Sequence, residues 1–186
     1  MTSAAEAAKL GHAEFWDERY AKAEDGSKPT HEWFRDFQSL EPFFAKHLFE
    51  TRTIESNPRI LHLGSGDSVR ILGLIAKGVT LMTQQTIPYD LLQRGYSNQL
   101  CLDFSAVVVD LMKSRHEAKE VEWRVGDVRD MLSVPDKSID VAFDKGTLDA
   151  MIHGSPWSPP DEVLENTGRY MKEVSGSVSR LLWCSR

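Results

Sequence analysis

Four short runs in this sequence combine residue types at spacings that could hold a small ligand. Leu63-Gly64-Ser65-Gly66-Asp67-Ser68 follows an apolar run. Glycines there let the backbone approach a ligand closely, and a helix starting next would aim N–H groups at a negative group. An ordinary strand-to-helix turn would have the same composition. Leu102-Asp103-Phe104-Ser105 ends a second apolar run. One carboxylate can accept from both hydroxyls of a ribose, so Asp103 is a candidate nucleoside ligand; it could equally cap a helix or close a turn. Phe104 could lie on a purine face or in the core. In Gly126-Asp127-Val128-Arg129, Asp127 can accept from an adenine amino group while the Val128 N–H donates to a ring nitrogen. A surface-loop aspartate is the alternative. Finally, Asp144-Lys145-Gly146-Thr147-Leu148-Asp149 directly follows a buried run, which places it at the sheet edge where open α/β proteins bind ligands. Asp144 or Lys145 could face the reacting centre; a surface Lys–Asp pair with Asp149 as a cap is the plainer reading.

These runs need strands and helices to position them. Arg59–Leu63, Asn98–Leu102, Val121–Val125 and Ile139–Phe143 read as strands, being short, apolar and bounded by turn residues. Helical patterns cover His12–Lys22, His31–Phe49 with a bend near Pro42, Tyr89–Arg94 closed by Gly95, Ser105 to about Arg115, and Asp161–Val174. This alternation predicts an α/β fold with a parallel sheet. The aromatic block Phe15-Trp16-Asp17-Glu18-Arg19-Tyr20 with Trp33-Phe34 is denser than a polar helix needs. It could cover a ligand as a lid, with Arg19 near a carboxylate, or be a helix stripe packed on the sheet.

Composition narrows the chemistry. The formal charge of −6 and the scattered lysines and arginines argue against a nucleic-acid surface. Cys101 and Cys184 are too far apart to suggest a disulfide framework, and six dispersed histidines imply no metal site. His62, between Leu61 and Leu63, reads as a packed strand residue. No secretory signal is apparent, and the apolar stretch Ile71–Met82, broken by Lys77, is too short to span a bilayer. A cytoplasmic protein is expected. A nicotinamide oxidoreductase is disfavoured by the missing third glycine of the dinucleotide fingerprint and the lack of a Tyr-x-x-x-Lys pair.

Together, Phe15–Tyr20, Glu32-Trp33-Phe34, Leu61–Ser68, Leu102–Ser105, Gly126–Arg129 and Phe143–Ala150 resemble the S-adenosylmethionine-dependent methyltransferase-like family that includes eukaryotic elongation factor 1-alpha lysine methyltransferases. The resemblance implies a Rossmann-like, seven-strand fold, S-adenosyl-L-methionine as cofactor, and a protein lysine as acceptor, with elongation factor 1-alpha one candidate. It implies cofactor contacts at Trp16, Tyr20, Trp33, Gly64, Asp103, Phe104, Asp127, Val128 and Lys145. It assigns no general base.

The chain departs from the family in two places. Asp103 lies roughly 37 residues after Gly66, where about 20 are expected. Removing Val69–Gln85 restores the spacing. Valine codons begin with GT and glutamine can be encoded by CAG, the ends of a typical intron, so the segment reads as an insertion or a retained intron translated in frame; sequencing the mature transcript decides which. Second, Gly176–Arg186 matches nothing in the family. The expected organisation is therefore a helical lid over 1–30, a methyltransferase domain over 31–175 interrupted at 69–85, and an aberrant tail over 176–186. The last three strands would be missing and the fourth would be an uncovered edge. A catalytically defective, truncated isoform is the alternative to an active enzyme.

Overall fold

Apolar residues on alternate faces of five short strands build the molecule. The computed structural model describes residues 4–22, 35–67, 70–76, 79–115 and 121–184. In chain order the elements are α1 (Ala4–Lys9), α2 (Ala13–Ala21), α3 (Phe37–Phe44), β1 (Ile60–Leu63), β2 (Arg70–Ala76), β3 (Val79–Gln85), α4 (Ile87–Gln93), β4 (Gln99–Asp103), α5 (Ala106–Arg115), β5 (Glu122–Val125), β6 (Val141–Asp144), α6 (Thr147–Met151), α7 (Asp161–Ser177) and β7 (Leu181–Trp183).

The main sheet has the order β5-β4-β1-β6-β7 and every pairing in it is parallel. The register aligns Leu61 with Leu100 and with Ala142. These three side chains share one face and pack with Tyr170 and Val174 of α7. On the other face Ile60, Val141 and Phe143 meet Phe37, Leu40 and Phe44 of α3 and Leu91 of α4. Cys101 and Trp123 meet Val108, Val109 and Met112 of α5. With both faces covered, the strands read as continuous apolar runs, as parallel sheets require. The chain runs outward from β1 through β4 to β5, then crosses back to β6 on the opposite side of β1. That reversal opens a crevice at the carboxyl ends of β1 and β6.

Local chemistry sets the element ends. Asp36 caps α3, its carboxylate accepting from Ser39 N at 2.9 Å. Pro42 lies inside α3, which runs on into a π-helical turn at Ala45–Phe49; proline supplies no N–H to the preceding turn. The 69–85 interruption contains β2 and β3, an antiparallel hairpin forming its own two-stranded sheet apart from the main one.

The tail corrects one expectation. The α/β reading holds, but the described part of the tail, residues 176–184, has a place in the fold and β6 is not an open edge. Leu181–Trp183 pair in parallel with Ala142–Asp144. Ala142 N donates to Arg180 O at 2.8 Å and Cys184 N to Asp144 O at 2.9 Å. The physical reason is that the edge of β6 offers unpaired N–H and C=O groups. A helix crossover of the length of α7 returns the chain there with four apolar residues, Leu181 to Cys184, in hand. Leu182 is 4% exposed and joins the α3 side of the core. If this strand holds the sheet, Leu182→Ala lowers unfolding stability by ~2–4 kcal/mol. Urea denaturation measures it, and a change within error of zero would mean the tail does not pair in solution.

Candidate active site

The carboxyl ends of β1, β4 and β6 converge on one cleft. It encloses about 1080 Å³ of empty space when its open mouth and the adjoining solvent are counted. Gly64 and Gly66 turn the chain out of β1 with φ of 60° and 57°, the left-handed region that glycine enters without strain. A side chain at Gly64 would collide with the hydroxyl of Thr147, and one at Gly66 would begin 3.0 Å from the Tyr20 hydroxyl. Backbone therefore forms this wall.

Asp103 ends β4 and is 4% exposed. Its Oδ2 accepts from Gly66 N at 2.9 Å and its Oδ1 from Ser105 N at 3.0 Å. Burial pushes its carboxyl up to about 6. The two backbone N–H groups pull it down, and the nearby Asp17 and Asp67 carboxylates push it up again. Asp67 lines the cleft beside it. Asp17 accepts from Ser105 Oγ at 2.5 Å, which ties α2 to the start of α5.

The end of β6 is organised around a second buried carboxylate. Asp144, 0% exposed, accepts from Thr147 N at 2.8 Å, Leu148 N at 3.0 Å and the Tyr170 hydroxyl at 2.6 Å. It turns inward as the anchor of α6, and burial raises its pKa despite these three donors. Lys145, the next residue, lines the cleft. Thr147 Oγ1 donates to Leu63 O at 2.7 Å, clipping this loop to the glycine turn.

His62 and Phe143 lie deeper in the wall. His62 Nε2 meets Gln99 Oε1 at 2.7 Å, while Gln99 Nε2 donates to Pro88 O and Tyr96 O. With both amide hydrogens so used, Gln99 Oε1 must accept, and the imidazole carries its proton on Nε2. Burial pushes its pKa down to about 4, so it stays neutral at pH 7, consistent with a packed strand residue.

The amino-terminal elements cover the cleft. Leu10, Gly11, Trp16 and Tyr20 line it. Trp16 stacks on Tyr20 with centroids 5.8 Å apart and donates to Leu10 O at 2.8 Å. Arg19 lies over the Trp16 ring at 5.9 Å. Burial, then the Asp103 and Asp67 carboxylates, raise the Tyr20 phenol well above its usual range.

Of the residues singled out from sequence, Trp16, Tyr20, Gly64, Asp103, Phe104, Val128 and Lys145 come together in this one cleft. Trp33 lies outside the described residues. Asp127 stands apart from the lining. Its carboxylate accepts from Arg129 N at 2.8 Å and from the guanidinium at 2.7–3.0 Å. Burial alone would raise its pKa, but Arg129 holds it below the usual carboxylate range. Arg129 also donates to Gly11 O at 3.2 Å and Asn166 Oδ1 at 3.1 Å, and His12 Nε2 lies 3.4 Å from Glu162. Glu162 and Asn166 are one turn apart on α7, so the corner between α1 and α2 latches onto one face of that helix. Sequence reasoning missed this latch and the Thr147 clip; the only signals were an arginine two residues beyond Asp127 and a threonine three beyond Asp144.

A family model described as a methyltransferase domain matches residues 84–174, starting at the end of the hairpin. EEF1A lysine methyltransferase 4 of Mus musculus is 33% identical over 87% of this chain and 54% of its own length. The Bos taurus protein of the same name is 31% identical over the same shares. Residues 84–174 are thus similar to a methyltransferase domain, and most of the chain is similar to lysine methyltransferases. The chain spans about half the length of the curated relatives it matches. A SAM-dependent methyltransferase from Anabaena variabilis superposes with a TM-score of 0.54 at 14% identity, covering 91% of this chain and 60% of that one, a likeness of fold. No group of three or more His, Cys, Asp or Glu among the described residues could hold a metal ion.

The electrostatics of Asp103 and the Arg129 latch can each be tested. The folded pKa of Asp103 lies above its unfolded value, so the folded state binds the extra proton and stability is lost as pH rises from about 4 through about 6. Wild type should lose on the order of 2 kcal/mol across that window beyond what Asp103→Asn loses, by urea denaturation at each pH. A ligand that donates to the ionised carboxylate shows the opposite slope, so S-adenosylhomocysteine affinity should fall about tenfold per pH unit below 6, a dependence the variant lacks. For the latch, Arg129→Ala should speed S-adenosylhomocysteine dissociation about tenfold and raise amide exchange at 10–20 but not in β1 and β4. Equal acceleration throughout would indicate general destabilisation instead.

Proposed function

We propose that this chain transfers the methyl group of S-adenosylmethionine to a lysine of a protein, with elongation factor 1-alpha the first acceptor to test. The observation that carries the reading is the acidic cleft at the sheet's switch point. Asp103 and Asp67 line it against one lysine, Lys145, and Asp17 accepts from Ser105, two residues beyond Asp103. Such a lining favours a cationic nucleoside and disfavours the pyrophosphate of a dinucleotide. The relatives named for EEF1A lysine methylation support the acceptor.

The residues present fit the donor. Asp103 has the chemistry to accept two ribose hydroxyls, and its neighbour Phe104 and Val128 offer apolar contact for a base. The side-chain-free turn at Gly64 and Gly66 admits a ligand against the backbone. When bound, S-adenosylmethionine supplies an electrophilic methyl group on a sulfonium. The protein's task is to hold the donor and the neutral acceptor amine in line, and to exclude water. Leu10, Trp16 and Tyr20 provide the cover. His62 is too weak a base to take the ammonium proton at neutral pH, so the amine loses it before or during entry.

The test uses tritiated S-adenosylmethionine and purified elongation factor 1-alpha, with calorimetry of S-adenosylhomocysteine in parallel. Expected are binding that Asp103→Ala weakens about 100-fold, from loss of charged hydrogen bonds, and label on lysine. Binding without label would remove the acceptor assignment. No binding by a folded chain would remove the donor, and would favour a catalytically defective product whose β1–α4 connection is interrupted.

A further inference from the structure

Between α6 and α7 the chain makes an exposed turn that the cleft does not use. Gly154 has a φ of 79°, and a side chain there would begin 2.9 Å from Pro160 Cδ, so the ends of the segment press together. Ser158 N donates to Ser155 O at 3.2 Å and Trp157 N to Ser155 Oγ at 3.3 Å. Pro156 fixes one backbone torsion within the turn and Pro159-Pro160 stiffen its exit. Trp157 sits in this turn, 95% exposed.

An indole normally contributes one of the larger apolar burials in a protein. Here a stiff turn holds it in water, so little ordering remains for a partner to impose. The turn also adjoins the cleft. Ala150 and Met151 line the cleft wall, and Ile152, the next residue, is 52% exposed. Beside α6, Trp183 is 46% exposed and its indole N–H donates to Asp149 Oδ2 at 3.3 Å. The charges flanking the turn are mainly acidic: Asp149 before it, and the exposed Asp161, Glu162 and Glu165 after it, with the exposed Arg169 and Lys172 lying further along α7.

We infer that the Trp157 turn is the docking point for a basic, lysine-bearing segment of the protein acceptor. The indole face takes a lysine or arginine cation, the surrounding carboxylates supply charge complementarity, and a neighbouring lysine is delivered to the cleft that begins at Met151. This rests on the methyl-transfer reading and adds to it the chemistry of the acceptor segment.

The test titrates the full chain, with S-adenosylhomocysteine present, against a Gly-Ser peptide carrying spaced lysines and against the same peptide with glutamines in their place. Trp157→Ala should weaken the lysine peptide about five-fold or more and leave S-adenosylhomocysteine affinity unchanged. Asp161→Asn combined with Glu165→Gln should weaken the peptide and flatten its salt dependence. In a methyl-transfer assay Trp157→Ala should raise KM for the peptide without lowering kcat. Equal peptide binding by wild type and Trp157→Ala, or equal binding of the glutamine peptide, overturns the inference. So does self-association that disappears in Trp157→Ala, which would assign the face to a second copy. Failure of wild type to bind S-adenosylhomocysteine strikes the methyl-transfer reading instead, and the peptide arm still decides the docking face.

Discussion

A carboxylate buried at the end of a strand must find hydrogen-bond donors close by, and the turn that follows the strand is where they are. Asp103 and Asp144 both meet this requirement. Asp103 takes the N–H groups of Gly66 and Ser105, and so joins the turn after β1 to the start of α5. Asp144 takes those of Thr147 and Leu148 together with the Tyr170 hydroxyl, and so joins β6 to α6 and α7. The two carboxylates have different fates. Asp144 is saturated and serves as a peg. Asp103 lines the cleft with like charges near it, and burial above all holds its carboxyl up at about 6. A carboxylate that burial and like charges disfavour in its ionised form is the point at which a ligand's donors contribute most.

The lid depends on the same economy of donors. One guanidinium serves Asp127, Gly11 and Asn166 at once, so a corner of the amino-terminal helices, a loop after β5 and the first turns of α7 share a single cation. Arginine can do this because its planar fork presents five donors in fixed directions, which a lysine cannot reproduce. Asp127 is consumed in building that latch, while Val128 beside it faces the cleft.

Much of this was legible in the sequence, for a simple reason. A residue directly after a buried parallel strand has nowhere to go but the carboxyl edge, so Gly64, Asp103 and Lys145 could be placed together from their position after apolar runs alone. Asp127 could not be resolved in the same way, because its partner is decided by whether a side chain two residues on folds back. The Thr147 clip and the inward turn of Asp144 depend on which of several adjacent polar groups reaches β1. The fifth strand was missed because four apolar residues after a helix carry no record of which edge they will pair with, and β6 reveals its open side only once the strand order is known.

The hairpin between β1 and α4 has a consequence for how this chain could be rebuilt. Arg70 stands opposite Gln85 at its open end and Ala76 opposite Val79 near its tip, so the excursion leaves and returns at nearly the same place. Lengthening a closed excursion adds little entropic cost. The connection therefore behaves as an insertion port beside the ligand cleft. A compact reporter domain with adjacent termini could occupy it and transmit changes at Asp67 and Thr86, both in the cleft wall, into an optical signal.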